Sequence, residues 1–205
     1  LQFKHNPTKL DKVLKAKEEL KKIPYTYINV AGRDIQEIIG ICRRWVMKDV
    51  GFDENGRTND CVIIYDQLKL NSENELGGGM NESQALGFTI TNLHNFSIEY
   101  DLPIMSVVQL NRDGMTEDST GVIGKSDRLA EICTSITIFR DKSEEDIAND
   151  GIEYGNKKLV PIACRHGGGL QQDDYISLVF EKGTCNIKES MTRNEIRQIE
   201  KPVND

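Results

Sequence analysis

Ten residues, Cys61-Val62-Ile63-Ile64-Tyr65-Asp66-Gln67-Leu68-Lys69-Leu70, constrain the fold more than any other stretch of the chain. An unbroken apolar run closed by a single carboxylate suits a strand buried on both faces, as in the middle of a parallel sheet covered by helices. Asp66 then stands at the strand's carboxyl end. Ligands of open α/β sheets bind at that edge, and an Asp after such a strand commonly organises Mg²⁺ in nucleotide hydrolases. The plainer reading has Asp66 cap the following turn.

The flanking segments supply what such a sheet needs. Ile35, Ile38, Ile39, Cys42 and Val46 repeat at the spacing of one buried helix face, from Ile35 to about Asp49, with Asp34 as the cap. Trp45 beside that stripe reads as packing. The polar loop from Gly51 to Asp60 leads into the Cys61 run, giving half of a parallel crossover unit. A second helix is expected from about Glu82 to Tyr100, with Leu86, Ile90, Leu93 and Ile98 apolar and Phe88, Phe96 and Tyr100 in the core. Pro103 to Val108 reads as the next buried strand. Two glycine-bearing stretches, Asn71 to Asn81 and Asp113 to Lys125, read as mobile loops.

Asn6-Pro7-Thr8 opens an amino-terminal helix with Leu10, Val13, Leu14 and Leu20 at helical spacing and a solvated, lysine-rich opposite face. Tyr25 to Val30 reads as a strand from its aromatic and β-branched content. Toward the other end, strands are expected at Ile132 to Phe139, Lys158 to Arg165, Tyr175 to Glu181 and Cys185 to Lys188. The glycines after His166 form a hairpin-like loop. The acidic run Asp141 to Asp150 reads as a surface connection, and the stretch from Ser190 as a frayed helix. The expected fold class is α/β: a mainly parallel central sheet flanked by helices, with antiparallel strands at the C-terminal edge. One domain spans residues 1–189, followed by a charged tail over 190–205.

At 205 residues the chain is long enough for one well-buried core. No apolar stretch approaches the ~20 residues that cross a bilayer, and no signal peptide opens the sequence. The five cysteines are scattered, without CxxC or zinc spacing, and read as small core residues in a reducing compartment. His5 and His94 have no partner at metal-ligand spacing, while His166 adjoins Arg165. A net charge of −7 opposes the simplest nucleic-acid binder, which carries a basic face. It permits one that holds nucleic acid at a few loop tips, especially in a ring.

Three polar stations follow expected strands: Asp66, then Gln109 to Arg112, then Arg165-His166 with its glycines. Phosphoryl transfer needs this inventory: a carboxylate for the metal, an amide to sense phosphate or orient water, and an Arg to stabilise transferring charge.

Here the chain resembles the DnaB-type replicative helicases, whose motor domain has the RecA-like fold. Cys61 to Leu70 resembles their Walker B strand. Val107-Val108-Gln109-Leu110-Asn111-Arg112 is similar to their Ser-Gln-Leu-Asn-Arg motif, Phe139-Arg140-Asp141 to their Tyr-Arg-Asp strand end, and Arg165-His166-Gly167 to their Arg-Asn-Gly. The resemblance runs from about Asn6 to Glu189. It implies an ATP- and Mg²⁺-dependent helicase, with Asp66 organising Mg²⁺ through water, Gln109 sensing the γ-phosphate, and Arg165 acting as an arginine finger on the neighbouring subunit's nucleotide. It also implies a homo-hexamer moving 5′ to 3′ on single-stranded DNA. The loops Asn71 to Ser83 and Asp113 to Lys125 would face the DNA, with Arg112, Lys125 and Arg128 as contacts. Primase and a helicase loader are the implied partners, no membrane is involved, and the implied location is the cytoplasm of a bacterium or of a phage's host.

The chain departs from that pattern in three places. Ala163 stands where the family has a Lys two residues before the finger, Tyr65 and Gln67 differ from the usual neighbours of the Walker B Asp, and Lys125 to Phe139 is longer than in the family. No phosphate-cradling P-loop stands in residues 1–60; it is expected upstream of Leu1. Ser119 to Ser126 mimics a P-loop but trails a polar loop instead of leaving a buried strand, so it reads as a decoy.

Overall fold

The computed structural model describes residues 7–68, 82–109, 127–167, 169–171 and 173–200. The chain forms two compact units, Leu1–Gly32 and Arg33–Asp205.

In the first unit, Pro7 opens helix α1 (Pro7–Leu20), where a missing N–H costs nothing. Lys21 and Lys22 pair with Glu18 and Glu19 at 2.9 and 2.7 Å just beyond its end. Leu10, Val13, Leu14 and Leu20 recur at helical spacing yet stay exposed. Tyr25 to Val30 forms no strand: Tyr25 to Asn29 are exposed, and the segment joins no sheet among the described residues. Aromatic and β-branched preference describes a fit to a pleated, half-buried surface, and no strand among the described residues pairs with this segment.

The second unit begins with α2 (Ile35–Trp45), whose cap Asp34 accepts a hydrogen bond from the Glu37 amide at 2.9 Å. Ile35, Ile38 and Ile39 are buried. One π-helical turn, Val46–Val50, extends the helix and Gly51 ends it at φ 74°, a conformation glycine adopts without strain. α2 packs against α3 (Glu82–Tyr100): Gln36 donates to Asn92 at 2.9 Å, and Arg43 Nε donates to the Tyr100 hydroxyl at 3.0 Å. Leu86, Ile90, Leu93 and Phe96 face the core as expected; Ile98 and Phe88 do not, and are exposed.

Two strands, β1 (Ile63–Tyr65) and β2 (Ile104–Ser106), pair in parallel, with α3 in the connection between them. They are shorter and less buried than expected. Tyr65 and Leu68 are buried, but Ile64 and its neighbour Met105 are 63% and 62% exposed. No described element covers that second face, so burial on both faces is corrected to burial on one.

The larger sheet is antiparallel, in the order β3 (Ser135–Asp141), β4 (Lys157–Cys164), β5 (Ile176–Glu181), β6 (Asn186–Thr192). Register shifts by one residue where Ile136 faces Ala163 and Thr137 faces Pro161. A proline cannot donate to the ladder, and a bulge accommodates it. The antiparallel strands expected at the C-terminal edge form, but among the described residues only two strands pair in parallel, so no mainly parallel sheet is seen among them. Ile132, expected to open the strand, instead ends helix α4 (Asp127–Ile132).

Three further expectations are corrected. The acidic run is not a surface connection but helix α5 (Glu144–Asp150), begun by a reciprocal cap in which Ser143 and Asp146 exchange two hydrogen bonds of 3.0 Å. Its Asp146 and Asp150 are buried, because each has a lysine partner. The charged stretch from Ser190 completes β6 and forms the expected helix, α6 (Arg193–Glu200), which is packed and not frayed: its Ile196 is fully buried. The cysteines are not core residues either. Cys42, Cys61 and Cys133 are half-buried, and Cys164 and Cys185 are exposed. No helix among the described residues is long and apolar enough to cross a membrane.

Candidate functional site

The parallel pair ends two of the expected segments at one edge. In register, Tyr65 lies beside Ser106, so Asp66 and the segment leading to Gln109 leave the same carboxyl edge. The Ser106 hydroxyl donates to the Tyr65 carbonyl at 2.8 Å, and the Leu68 amide donates to the Val107 carbonyl at 2.7 Å, joining the two segments past the strands' ends. Between these bonds the chain turns through Gln67 at φ 66°. Asp66 and Gln109 are both exposed at this edge.

One exposed carboxylate does not make an all-protein metal cage, and no group of three or more metal-binding side chains occurs among the described residues. The donor set fits Mg²⁺ in a different way. That ion keeps several of its waters and takes one or two carboxylates plus phosphate oxygens, so a lone Asp66 would hold it through water. The Gln109 amide offers both a donor and an acceptor for phosphate or water at the same edge.

Arg165 lies elsewhere, just after β4 in the antiparallel sheet. Its amide donates to the Thr134 carbonyl at 2.9 Å. Its guanidinium Nη2 donates to the Glu131 carbonyl and, at 3.5 Å, to that of Ala130. These carbonyls belong to the last turn of α4, where a cation is electrostatically favoured. The structure thus brings Asp66 and Gln109 to one edge, while Arg165 makes its contacts on another sheet. His166 is exposed, and its carbonyl accepts from the Cys164 thiol at 3.3 Å. Arg112 and Lys125 lie outside the described residues, as do the expected loops over 71–81 and 113–125 and the P-loop mimic at 119–126. Arg128 stands in α4, with its side chain outside the described set.

Beyond Arg165 the chain reaches a cavity of about 460 Å³, lined by Leu170, Gln171 and Asp174 on one side and Asn194, Arg197 and Gln198 on the other. The Asp174 carboxylate accepts from the Tyr175 and Asn194 amides at 2.9 and 3.0 Å, fixing the loop's return to α6.

Next to this return is a buried ionic cluster that the sequence reading missed. Lys142 Nζ meets Asp150 at 2.8 Å, Lys158 Nζ meets Asp146 at 2.8 Å, and the Tyr175 hydroxyl donates toward both carboxylates. Burial works against charge on Asp146, but the Lys158 ammonium and the Ser143 donors outweigh it and hold its carboxyl well below the usual range. Burial, the bond to Asp150 and the nearby acids all push the Tyr175 hydroxyl upward. The available signal was Asp146 and Asp150 at i,i+4 behind a Ser-x-x-Asp cap, with lysines at 142 and 158 to receive them.

Neither a protein-family model nor a curated protein sequence matches the chain. Among solved structures it is similar to the ATPase domain of G40P, with a TM-score of 0.68 and 16% identity over 89% of this chain and 61% of that one. It is also similar to a DnaB-like replicative helicase from a structure of that enzyme and its interactions with primase, with a TM-score of 0.66 and 14% identity over 87% of this chain and 41% of that one. The chain therefore shares the α/β fold of these two structures, and it spans less than two thirds of either.

Proposed function

We propose that the chain is part of the motor of a ring-forming, ATP-driven DNA helicase. The observation that carries this reading is the shared edge of β1 and β2, where one carboxylate and one amide leave a parallel pair in a fold like that of replicative helicase ATPase domains. Asp66 orients hydrated Mg²⁺ on the nucleotide, and Gln109 senses the terminal phosphate and links that edge to the loop beyond it. Arg165 serves the nucleotide of the neighbouring subunit, a role supported by its exposure just after a strand of a sheet other than that of Asp66. Segments 71–83 and 113–125, with Arg112, Lys125 and Arg128, grip single-stranded DNA. The assembly is a homo-hexamer that works with primase and a loader in the bacterial or host cytoplasm, travelling 5′ to 3′. The motor assignment covers residues 1–189.

A second reading, a non-catalytic module that binds DNA or a replication partner, rests on the lack of a GxxxxGK[ST] turn in residues 1–60. ATP hydrolysis, measured with and without single-stranded DNA, separates the two. The helicase reading expects little turnover by the chain as given and DNA-stimulated turnover once it is extended with the sequence encoded upstream of Leu1. No turnover by the extended protein would favour the binding module.

A further inference from the structure

The buried cluster and the Arg165 loop share a residue. β4 ends at Cys164 and β5 begins at Ile176, so the loop has one foot at Arg165 and the other at Tyr175. The first foot is held by the Arg165 amide on the Thr134 carbonyl. At the second, the Arg193 amide donates to the Tyr175 carbonyl at 2.9 Å, and Asp174 caps the Tyr175 and Asn194 amides. The Tyr175 side chain then enters the cluster. Its hydroxyl bonds Asp146, at 3.2 Å, and Asp150, which are one helical turn apart on α5. Lys142, Lys158 and Arg193 lie over its ring at 5.4, 4.8 and 5.2 Å from the centroid.

Stability alone does not call for this arrangement. Buried ion pairs are often no more stabilising than apolar residues of the same volume. What directional bonds add is a fixed position. The Tyr175 hydroxyl, its one proton shared between two carboxylates a helical turn apart, is held from both sides along α5, and each carboxylate is itself paired with a lysine from just after β3 or from β4.

We propose that Tyr175 is a positioning residue for Arg165: the cluster sets the height of the loop's second foot, and with it the place of the guanidinium at the loop's start. This rests on the reading of Arg165 as the group that stabilises transferring charge. Displacement of such a group by a fraction of an ångström lowers turnover with little effect on substrate binding. Tyr175→Phe keeps the ring under its three cations and removes only the hydroxyl.

Two measurements test it. In the chain as given, Tyr175→Phe is compared with Ile196→Val, a core change in α6 that leaves the hydroxyl bonds intact. Amide NMR shifts of Arg165, His166 and Gly167 should move in the first variant and stay in place in the second. Unmoved shifts in Tyr175→Phe, or equal movement in both, overturn the proposal. If Tyr175→Phe does not fold, Asp150→Asn, which alters the acceptor of the hydroxyl's closer bond, replaces it under the same criteria. In the upstream-extended ring, Tyr175→Phe should lower kcat about tenfold with the KM for ATP little changed, and should have no further effect in an Arg165→Ala background. Additive losses overturn the proposal. A wild-type kcat in Arg165→Ala defeats the finger reading instead, while the NMR shifts still decide whether the cluster places the loop.

Discussion

The Ser106 hydroxyl donates to the Tyr65 carbonyl at 2.8 Å, a side-chain link between two parallel strands at the edge from which Asp66 and Gln109 depart. A neutral hydrogen bond of this kind contributes about 1 kcal/mol net. Ser106→Ala should therefore lower the unfolding free energy by about that amount in urea titrations, and should increase hydrogen exchange at the Leu68 amide. A loss well above 2 kcal/mol, or unchanged exchange at Leu68, would show that the link does not act locally.

Lys158 and Asp146 form a buried pair at 2.8 Å, with side chains 7% and 9% exposed. Removing one partner strands a buried charge, so Lys158→Met should cost about 3–5 kcal/mol. The double variant Lys158→Met, Asp146→Leu should recover part of that loss, because no uncompensated charge remains. Chemical denaturation of the three proteins measures both effects, and a double variant less stable than the single one contradicts the assignment.

The same cluster bounds stability against pH. Asp146 is held below its ordinary 3.8, so in acid the unfolded chain takes up the proton first. Its contribution is whole above about pH 4 and is lost as pH falls through the folded value. Tyr175 is raised above its ordinary 10.0, chiefly by burial and then by the bond to Asp150. Its contribution is whole below about pH 10 and is lost as pH rises, since the unfolded tyrosine ionises first. Melting temperatures followed by circular dichroism should show a shallower acid limb in Asp146→Asn and a shallower alkaline limb in Tyr175→Phe. Unchanged limbs would mean that other groups set both boundaries.

Gly155 sits at φ 125°, and a Cβ there would lie 2.3 Å from the Leu178 carbonyl oxygen. The obstacle is backbone in the middle of the sheet, which cannot swing aside. Gly155→Ala should cost about 1–3 kcal/mol from the backbone conformation alone, with the clash added. A melting temperature within one degree of wild type would contradict this.

Much of the helical structure was legible because it is carried by spacing. The Ile35, Ile38, Ile39 stripe lies in a helix and is buried, and Glu82–Tyr100 has the bounds expected of it. The strands were legible as apolar runs, but their burial was not, because a run such as Val62 to Tyr65 does not say how many of its faces other elements cover. Tyr25 to Val30 was misread for the related reason that strand preference acts only when a partner strand exists. The acidic segment was misread because charge density usually marks solvent, whereas here Lys142 and Lys158 make burial tolerable. Of the candidate site, the shared edge of Asp66 and Gln109 follows from two expected strands pairing in parallel. The cluster beneath Tyr175 depends on contacts between residues far apart in the chain, such as Tyr175 with Asp146 and Arg193 with Asp150, which the local cap and lysines do not by themselves reveal.

Asp66 is the residue on which the functional account turns. The most direct measurement is ATP hydrolysis by the upstream-extended ring in the presence of single-stranded DNA, for wild type and Asp66→Asn, with assembly checked by sedimentation. A carboxylate that orients the metal should be worth about 100-fold or more in turnover, so Asp66→Asn rings should assemble and bind DNA yet hydrolyse ATP at no more than about one hundredth of the wild-type rate. Assembled Asp66→Asn rings with wild-type turnover would contradict the assignment of this edge as the nucleotide site.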